Sequence, residues 1–247
     1  MIEFIQLKKP SYILIENVPN FLKIELPFNG KFLKVEDILK SLFGDEYEIE
    51  PCVYDACDYG VAQRRLRAII KMYKKGSKWG NPAKIQKALT VQDMIGNLPS
   101  LEAGEKSSIK WHFARKHPQN QIFCMRHTKT GESAIDNPVY FPVTKNGTRV
   151  KAYSTTYRRM LWNEPAPTIT IRNDAISSQL NVHPGRLQTD GTYSDARVLT
   201  PLELMLLTSL PADWNIPDDT PELLIRKCRG ESIPPLLIKK IVEQIGK

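Results

Sequence analysis

The 247-residue chain has only four cysteines, Cys52, Cys57, Cys124 and Cys228, and their spacing is irregular. Only the first two lie close together, with no second pair and no nearby histidine, so no metal site is expected. Reduced, mostly buried thiols in a cytoplasmic protein fit this count. Long apolar runs are missing too. Stretches such as Tyr12–Ile15 and Leu204–Leu207 fall far short of the roughly 20 residues that a membrane helix needs. The opening MIEFIQLKKP has no basic leader followed by an apolar segment, so neither export nor a membrane partner is expected. There is no internal repeat and no low-complexity tract. What is present is 41% hydrophobic residues, which excludes a wholly disordered chain. The length allows one large domain or two small ones.

Charge is unbalanced but not extreme. Thirty-five Lys and Arg stand against 27 Asp and Glu, a formal charge of +8. Such an excess suits nucleic acid, because each phosphate neutralised by Lys or Arg releases a counterion. It suits ordinary solubility equally well, since both signs are spread along the chain.

The N-terminal third reads as α/β. Ile2–Lys8 is short and amphipathic and stops before Pro10. Tyr12–Ile15 is a continuous β-favouring run, the pattern of a strand buried on both faces of a parallel sheet. It ends abruptly at Glu16-Asn17-Val18-Pro19, at the strand end where open α/β sheets place their ligands. Helical spacing covers Phe32–Phe43, with Gly44 as a C-cap, and Tyr47–Tyr54 and Leu66–Tyr73 read as strands. From Gly76 to about Ala196 the pattern becomes loop-rich, with short strands such as Ala166–Arg172, and it contains all four histidines. Helices return at Thr200–Leu207 and Pro235–Ile245, each opened by a proline tolerated in the first turn. A strand as apolar as Tyr12–Ile15 needs more sheet neighbours than these elements supply, so the doubly wound sheet is incomplete.

Four stretches carry a family resemblance. Glu16-Asn17-Val18 resembles the Glu-Asn-Val motif of the cytosine-C5 DNA methyltransferases, and Gln63-Arg64-Arg65-Leu66-Arg67 resembles that family's Gln-x-Arg-x-Arg motif. Arg197-Val198-Leu199-Thr200 through Glu203 is similar to its Arg-x-Leu-Thr-x-x-Glu helix, and Gly230-Glu231-Ser232-Ile233-Pro234-Pro235 to its Gly-Asn-Ser-Val-Pro-Pro motif. Thr90–Asp93 with Leu98-Pro99, and Glu164–Thr170, match further stretches common in the family. Their order and spacing cover nearly the whole chain. The resemblance implies an α/β fold: a partial doubly wound, Rossmann-like methyltransferase sheet plus a loop-rich small target-recognition domain. It divides the chain into a catalytic part at 1–76, target recognition at 77–215 and a returning segment at 216–247.

The chemistry agrees with the resemblance. Methylation at C5 of cytosine needs a nucleophile at C6, and an acid at N3 makes C6 electrophilic. Glu16 ends an apolar strand, a setting whose desolvation favours the neutral acid. By resemblance it contacts the N3 and amino edge of the base; taken alone, a strand-end carboxylate capping a turn reads as well. Asn17 is expected to shape the turn. Arg65 and Arg67 alternate on a strand and so share a face, which suits a phosphate or a carboxylate, or surface salt bridging. The resemblance has them orient the pocket and hold the flipped nucleotide, with Gln63 shaping the preceding turn and Arg64 facing away.

For double-stranded DNA, the target-recognition region offers Arg158, Arg159, Thr170, Arg172 and Asn173. Thr170 matches a family threonine that contacts the target phosphate, and His112, Arg115, Lys116 and His117 add to the basic surface. Each read singly is as well a solvated loop residue. Glu231 and Ser232 fall in the motif that closes over S-adenosylmethionine, but Glu231 stands where the family has Asn, which puts that contact in doubt.

The family's Pro-Cys nucleophile motif and its Phe-x-Gly-x-Gly cofactor loop are not found in these 247 residues. Pro51-Cys52 matches the first only superficially, because it follows the Glu-Asn-Val strand. The expectation is an incomplete, inactive enzyme whose catalytic cysteine and most of whose S-adenosylmethionine pocket lie in a complementary N-terminal half, on another subunit or a longer chain. Without that half, the chain is expected to self-associate. The alternative is a non-catalytic DNA-binding module or a decayed remnant.

Overall fold

The structure is a computed structural model that describes all 247 residues. The N-terminal third builds a three-stranded sheet of β1 (Tyr12–Asn17), β4 (Tyr47–Asp55) and β5 (Leu66–Lys74), in the order β1-β5-β4. Both pairings are antiparallel. This corrects the expectation of a parallel sheet around Tyr12–Ile15. The apolar run arises because both faces of the strand are covered, not because its partner runs parallel.

Side-chain alternation along β5 shows how the covering works. Ile70 and Met72 point to one face, where α1 (Ile2–Lys8) supplies Ile5 and α2 (Val35–Phe43) supplies Val35, Leu39 and Phe43. Ile69 and Tyr73 point to the other, where Trp79 and the C-terminal helix α7 (Pro235–Val242) close a second core through Leu237 and Ile241. Helix α1 stops where Lys9 turns left-handed (φ 42°) ahead of Pro10. A hairpin of β2 (Glu25–Phe28) and β3 (Lys31–Lys34) precedes α2. Residues 32–34, read as the start of a helix, therefore belong to a strand, and the apolar stripe of α2 begins at Val35. Gly44 does cap that helix, though with right-handed geometry (φ −62°).

Beyond residue 76 regular structure is sparse. The helices are α3 (Val91–Ile95), α4 (Gln119–Arg126), α5 (Pro201–Leu207) and α6 (Glu222–Glu231). The rest is held by isolated bridges and three small apolar clusters. Ala166–Arg172 is not a strand. Only Ala166 makes a bridge, to Gln63, and the flanking Pro165 and Pro167 have no N–H with which to extend a ladder. Two cysteines, Cys57 and Cys124, are buried, while Cys52 and Cys228 are exposed, against the expectation that most would be buried. No helix is long and apolar enough to cross a membrane.

Candidate functional site

Strands β1 and β5 set the site. Their register pairs Glu16 with Ile69 and Asn17 with Ala68, so the end of one strand lies beside the start of the other. Asn17 Oδ1 accepts a hydrogen bond from the Val18 N–H at 2.8 Å and turns the chain into the short helix Pro19–Leu22. One residue past the Asn17–Ala68 pair stands Arg67, whose Nε meets Glu16 Oε1 at 2.8 Å. Glu16 keeps 24% of its side-chain exposure and Arg67 13%. The dry setting expected for Glu16 is therefore only partly met, and its carboxylate is paired with a cation instead of sitting alone against apolar strand residues.

Arg65 is buried, at 2% exposure. Its backbone N–H donates to Asp55 Oδ1 at 2.8 Å. Its guanidinium donates to Ile169 O at 2.9 Å, to Gly230 O at 2.8 Å and to Glu231 O at 3.3 Å, while Nε is buried with no partner. One side chain thus ties the start of β5 to the 166–172 segment and to the end of α6. Burial, with Arg67 beside it, pushes the guanidinium down to about 10, which still leaves it charged at neutral pH. Surface salt bridging does not describe it. Gly230 makes the junction sterically possible, because a Cβ there would lie 2.4 Å from the Thr170 carbonyl. Arg64 faces outward and pairs with Glu164 at 3.3 Å. Gln63 is fully buried, bridged to Ala166, with neither amide atom hydrogen-bonded.

Between these elements opens a cleft of about 750 Å³. Arg65 and Arg67 line one side and Thr168, Thr170 and Arg172 another; the Arg65 guanidinium and the Thr168 hydroxyl are spent on backbone carbonyls, so Arg67 and Arg172 bring the charge. Ser177, Ser178 and Gln179, which no motif in the sequence marked, also line it, with Val18, Ile169, Ile171 and Gly230 making up the rest. Such a donor set suits an anion. Cys52 sits in β4 opposite Ile69 and does not line the cleft.

Several predicted contact residues lie elsewhere. Arg159 is buried and donates to the carbonyls of Met125, His183 and Asp195, which leaves it nothing to offer DNA. Asn173 is buried too, its amide donating to Thr170 O and Arg226 O while its own oxygens accept from Arg226. His112 is inside, held by Thr200 and Pro99 O. Burial, helped by Arg226 and Arg115, pushes His117 down to about 4, so it adds no positive charge at neutral pH. Glu231 and Ser232 end α6 and do not line the cleft. The Glu231 carbonyl is taken by Arg65, its carboxylate stands 4.0 Å from Lys227, and Ser232 Oγ donates to Arg229 O. No cofactor step is assigned to these two residues.

Comparison with known proteins bears on the whole chain. The sequence profile of the family described as C-5 cytosine-specific DNA methylase matches residues 1–247. Over 245 residues the chain is 57% identical to Type II methyltransferase M1.HgaI of Avibacterium volantium, covering 99% of this chain and 68% of that protein. It is 26% identical over 247 residues to Type II methyltransferase M1.HphI of Haemophilus parahaemolyticus, of which it spans 59%. Among solved structures, the fold is similar to a prophage-encoded E. coli protein described as a DNA modification methyltransferase. The TM-score is 0.67 at 18% identity, with 98% of this chain and 71% of that one covered.

Proposed function

This chain belongs to the C-5 cytosine-specific DNA methylase family, and from that premise we propose that it is the cytosine-activating and target-recognising part of a DNA (cytosine-5-)-methyltransferase. A complementary N-terminal half, upstream on a longer polypeptide or on a second subunit, brings the cysteine nucleophile and most of the S-adenosylmethionine pocket. The partner duplex is gripped by the region at 77–215, with 1–76 and 216–247 forming the catalytic part. The likeness to Type II methyltransferases supports a restriction–modification setting, and the DNA acted on in this proposal is cytoplasmic.

The observation that supports this proposal is the 2.8 Å contact of Glu16 with Arg67: Arg67 lines the cleft, while Glu16 lines the apolar hollow against β1 on its other side. A carboxyl there can hydrogen-bond the N3 and amino edge of an extruded cytosine and draw electron density from C6. Arg67 fixes its orientation. Extrusion costs a few kcal/mol, offset by contacts of the flanking phosphate with Arg67, Arg172 and Thr170. Arg65 acts through others: it holds the Thr170 wall and the end of α6 in place. S-adenosylmethionine, when bound, supplies the methyl group.

A second feature supports the complementary half. One edge of β1 is paired with β5, and against the other lies an apolar hollow of about 480 Å³ that includes Phe4, Ile5 and Ile13. An open edge backed by apolar side chains favours pairing with another strand.

The test uses enzyme assembled from this chain and a segment carrying the missing motifs. Glu16→Gln keeps the size of the side chain but removes the acid, and should lower methyl transfer by about 10² or more with DNA affinity kept. Undiminished transfer by that variant would overturn the proposal.

A further inference from the structure

We propose that a polar hollow beside the cleft, between the end of α4 and the 132–138 turn, reads base edges of the target duplex through Arg158 and Asp136. This rests on the chain being the DNA-recognising part of the methyltransferase. The hollow measures about 510 Å³ and has no hydrophobic lining; Lys129, Glu132, Asp136 and Arg158 all face it. Its geometry depends on Ser154. The Ser154 hydroxyl donates to Asp136 Oδ1 at 3.0 Å, and the Ser154 carbonyl accepts from Arg158 Nη1 at 3.1 Å. One residue therefore holds an acceptor and a fork of donors at the same hollow, and no ion pair within 4 Å joins the two charges to cancel them.

The hollow is tied to the cleft by a single ribbon. Thr156 bridges Gln179 of the cleft wall, Leu180 N donates to Thr155 O at 2.8 Å, and Tyr157 N donates to Ile176 O at 3.2 Å. On its other side the same ribbon bridges Ser133 through Arg158. On this proposal, base pairs next to the cytosine that enters the cleft lie over the hollow. Phosphate binding needs only cations, whereas base reading needs donors and acceptors side by side. Arg158 suits the O6/N7 edge of guanine and Asp136 the amino group of cytosine, so a G·C pair is the chemistry that fits.

Next to the hollow a hairpin is closed by Thr144 N→Thr148 O at 2.8 Å and Val150 N→Pro142 O at 2.8 Å. Arg149 anchors it, donating to Ile135 O at 2.7 Å and Asn137 O at 3.0 Å and lying 4.2 Å over the Phe141 ring. Lys145 and Lys151 remain exposed, placed for phosphates.

Site selection from randomised duplexes with the assembled enzyme separates these roles. Arg158→Ala and Asp136→Asn should each weaken preference at one base pair by about tenfold or more, with the salt dependence of binding unchanged. Lys145→Ala with Lys151→Ala should keep the preferred site and flatten the slope of log K against log salt by about 2. If Arg158→Ala disturbs folding, Arg158→Lys keeps the charge and loses the planar fork, and the same base preference should still be lost. An unchanged preferred site in the Arg158 and Asp136 variants, or a flattened salt slope in Arg158→Ala without a change of site, overturns the inference. Glu16→Gln separates the two proposals. A hollow that does not read bases while Glu16→Gln still abolishes transfer sinks only this inference.

Discussion

Glu16 and Arg67 meet because two antiparallel strands end and begin at the same level. Arg65, two residues away, works differently: its guanidinium satisfies three backbone carbonyls from two distant segments. Arg65→Ala should destabilise the chain by about 2–4 kcal/mol, because buried carbonyls lose their donors; urea unfolding measures this. Gly230→Ala should cost about 1–3 kcal/mol in the same assay, since the added carbon must displace the Thr170 backbone. Glu16, Asn17, Arg65 and Arg67 stand out in the sequence because their neighbours along the chain make the motif. Arg159 and Asn173 were misread because their burial is decided by segments 34 and 53 residues away, which no local pattern encodes.

Helix α5 shows what an element can disclose in advance. Thr200 accepts from the Glu203 N–H at 3.2 Å and Glu203 accepts from the Thr200 N–H at 2.7 Å, a capping box written in the order Thr-Pro-x-Glu. Thr200→Ala should cost about 1 kcal/mol, read as a lower urea midpoint. Thr90 and Asp93 box α3 in the same way. Helix α6 gave no such signal, because its buried side includes Arg226, paired with Glu222, and Gly230, so hydrophobic periodicity fails there. Around α5, Arg197 binds Glu203 with two contacts, at 2.8 and 2.9 Å, and Asp195 at 2.8 Å, all buried. Burial pushes the Glu203 carboxyl up, but Arg197, His183 and the Thr200 N–H together outweigh it and hold it down at about 2. Burial, with Arg197 beside it, pushes His183 down to about 3. Both groups bind fewer protons folded than unfolded, so stability rises with pH. The His183 contribution is complete above its ordinary 6.5 and is lost as pH falls toward 3. That of Glu203 is complete above 4.5 and fades toward 2. Urea midpoints should fall below about pH 6 and fall faster below 4.5; a midpoint flat from pH 7 to 4 would contradict the buried cluster.

At the scale of the whole molecule, three antiparallel strands are packed on both faces yet left open along β1. The apolar run Tyr12–Ile15 could be read as a doubly covered strand, but the direction of its neighbour could not, because strand direction depends on the connection and not on composition. The open edge predicts that the isolated chain self-associates in sedimentation experiments and becomes a defined one-to-one assembly when the complementary half is added. The cleft, the Glu16–Arg67 contact and the open edge are the features on which the proposed partial active site rests. The most direct measurement is 5-methylcytosine formed on duplex DNA with labelled S-adenosylmethionine, by this chain, by a segment carrying the cysteine and glycine-rich motifs, and by the two combined. Product is predicted only from the combination, and not when the chain carries Glu16→Gln. Product from this chain alone, or an equal yield with that variant, would contradict the account.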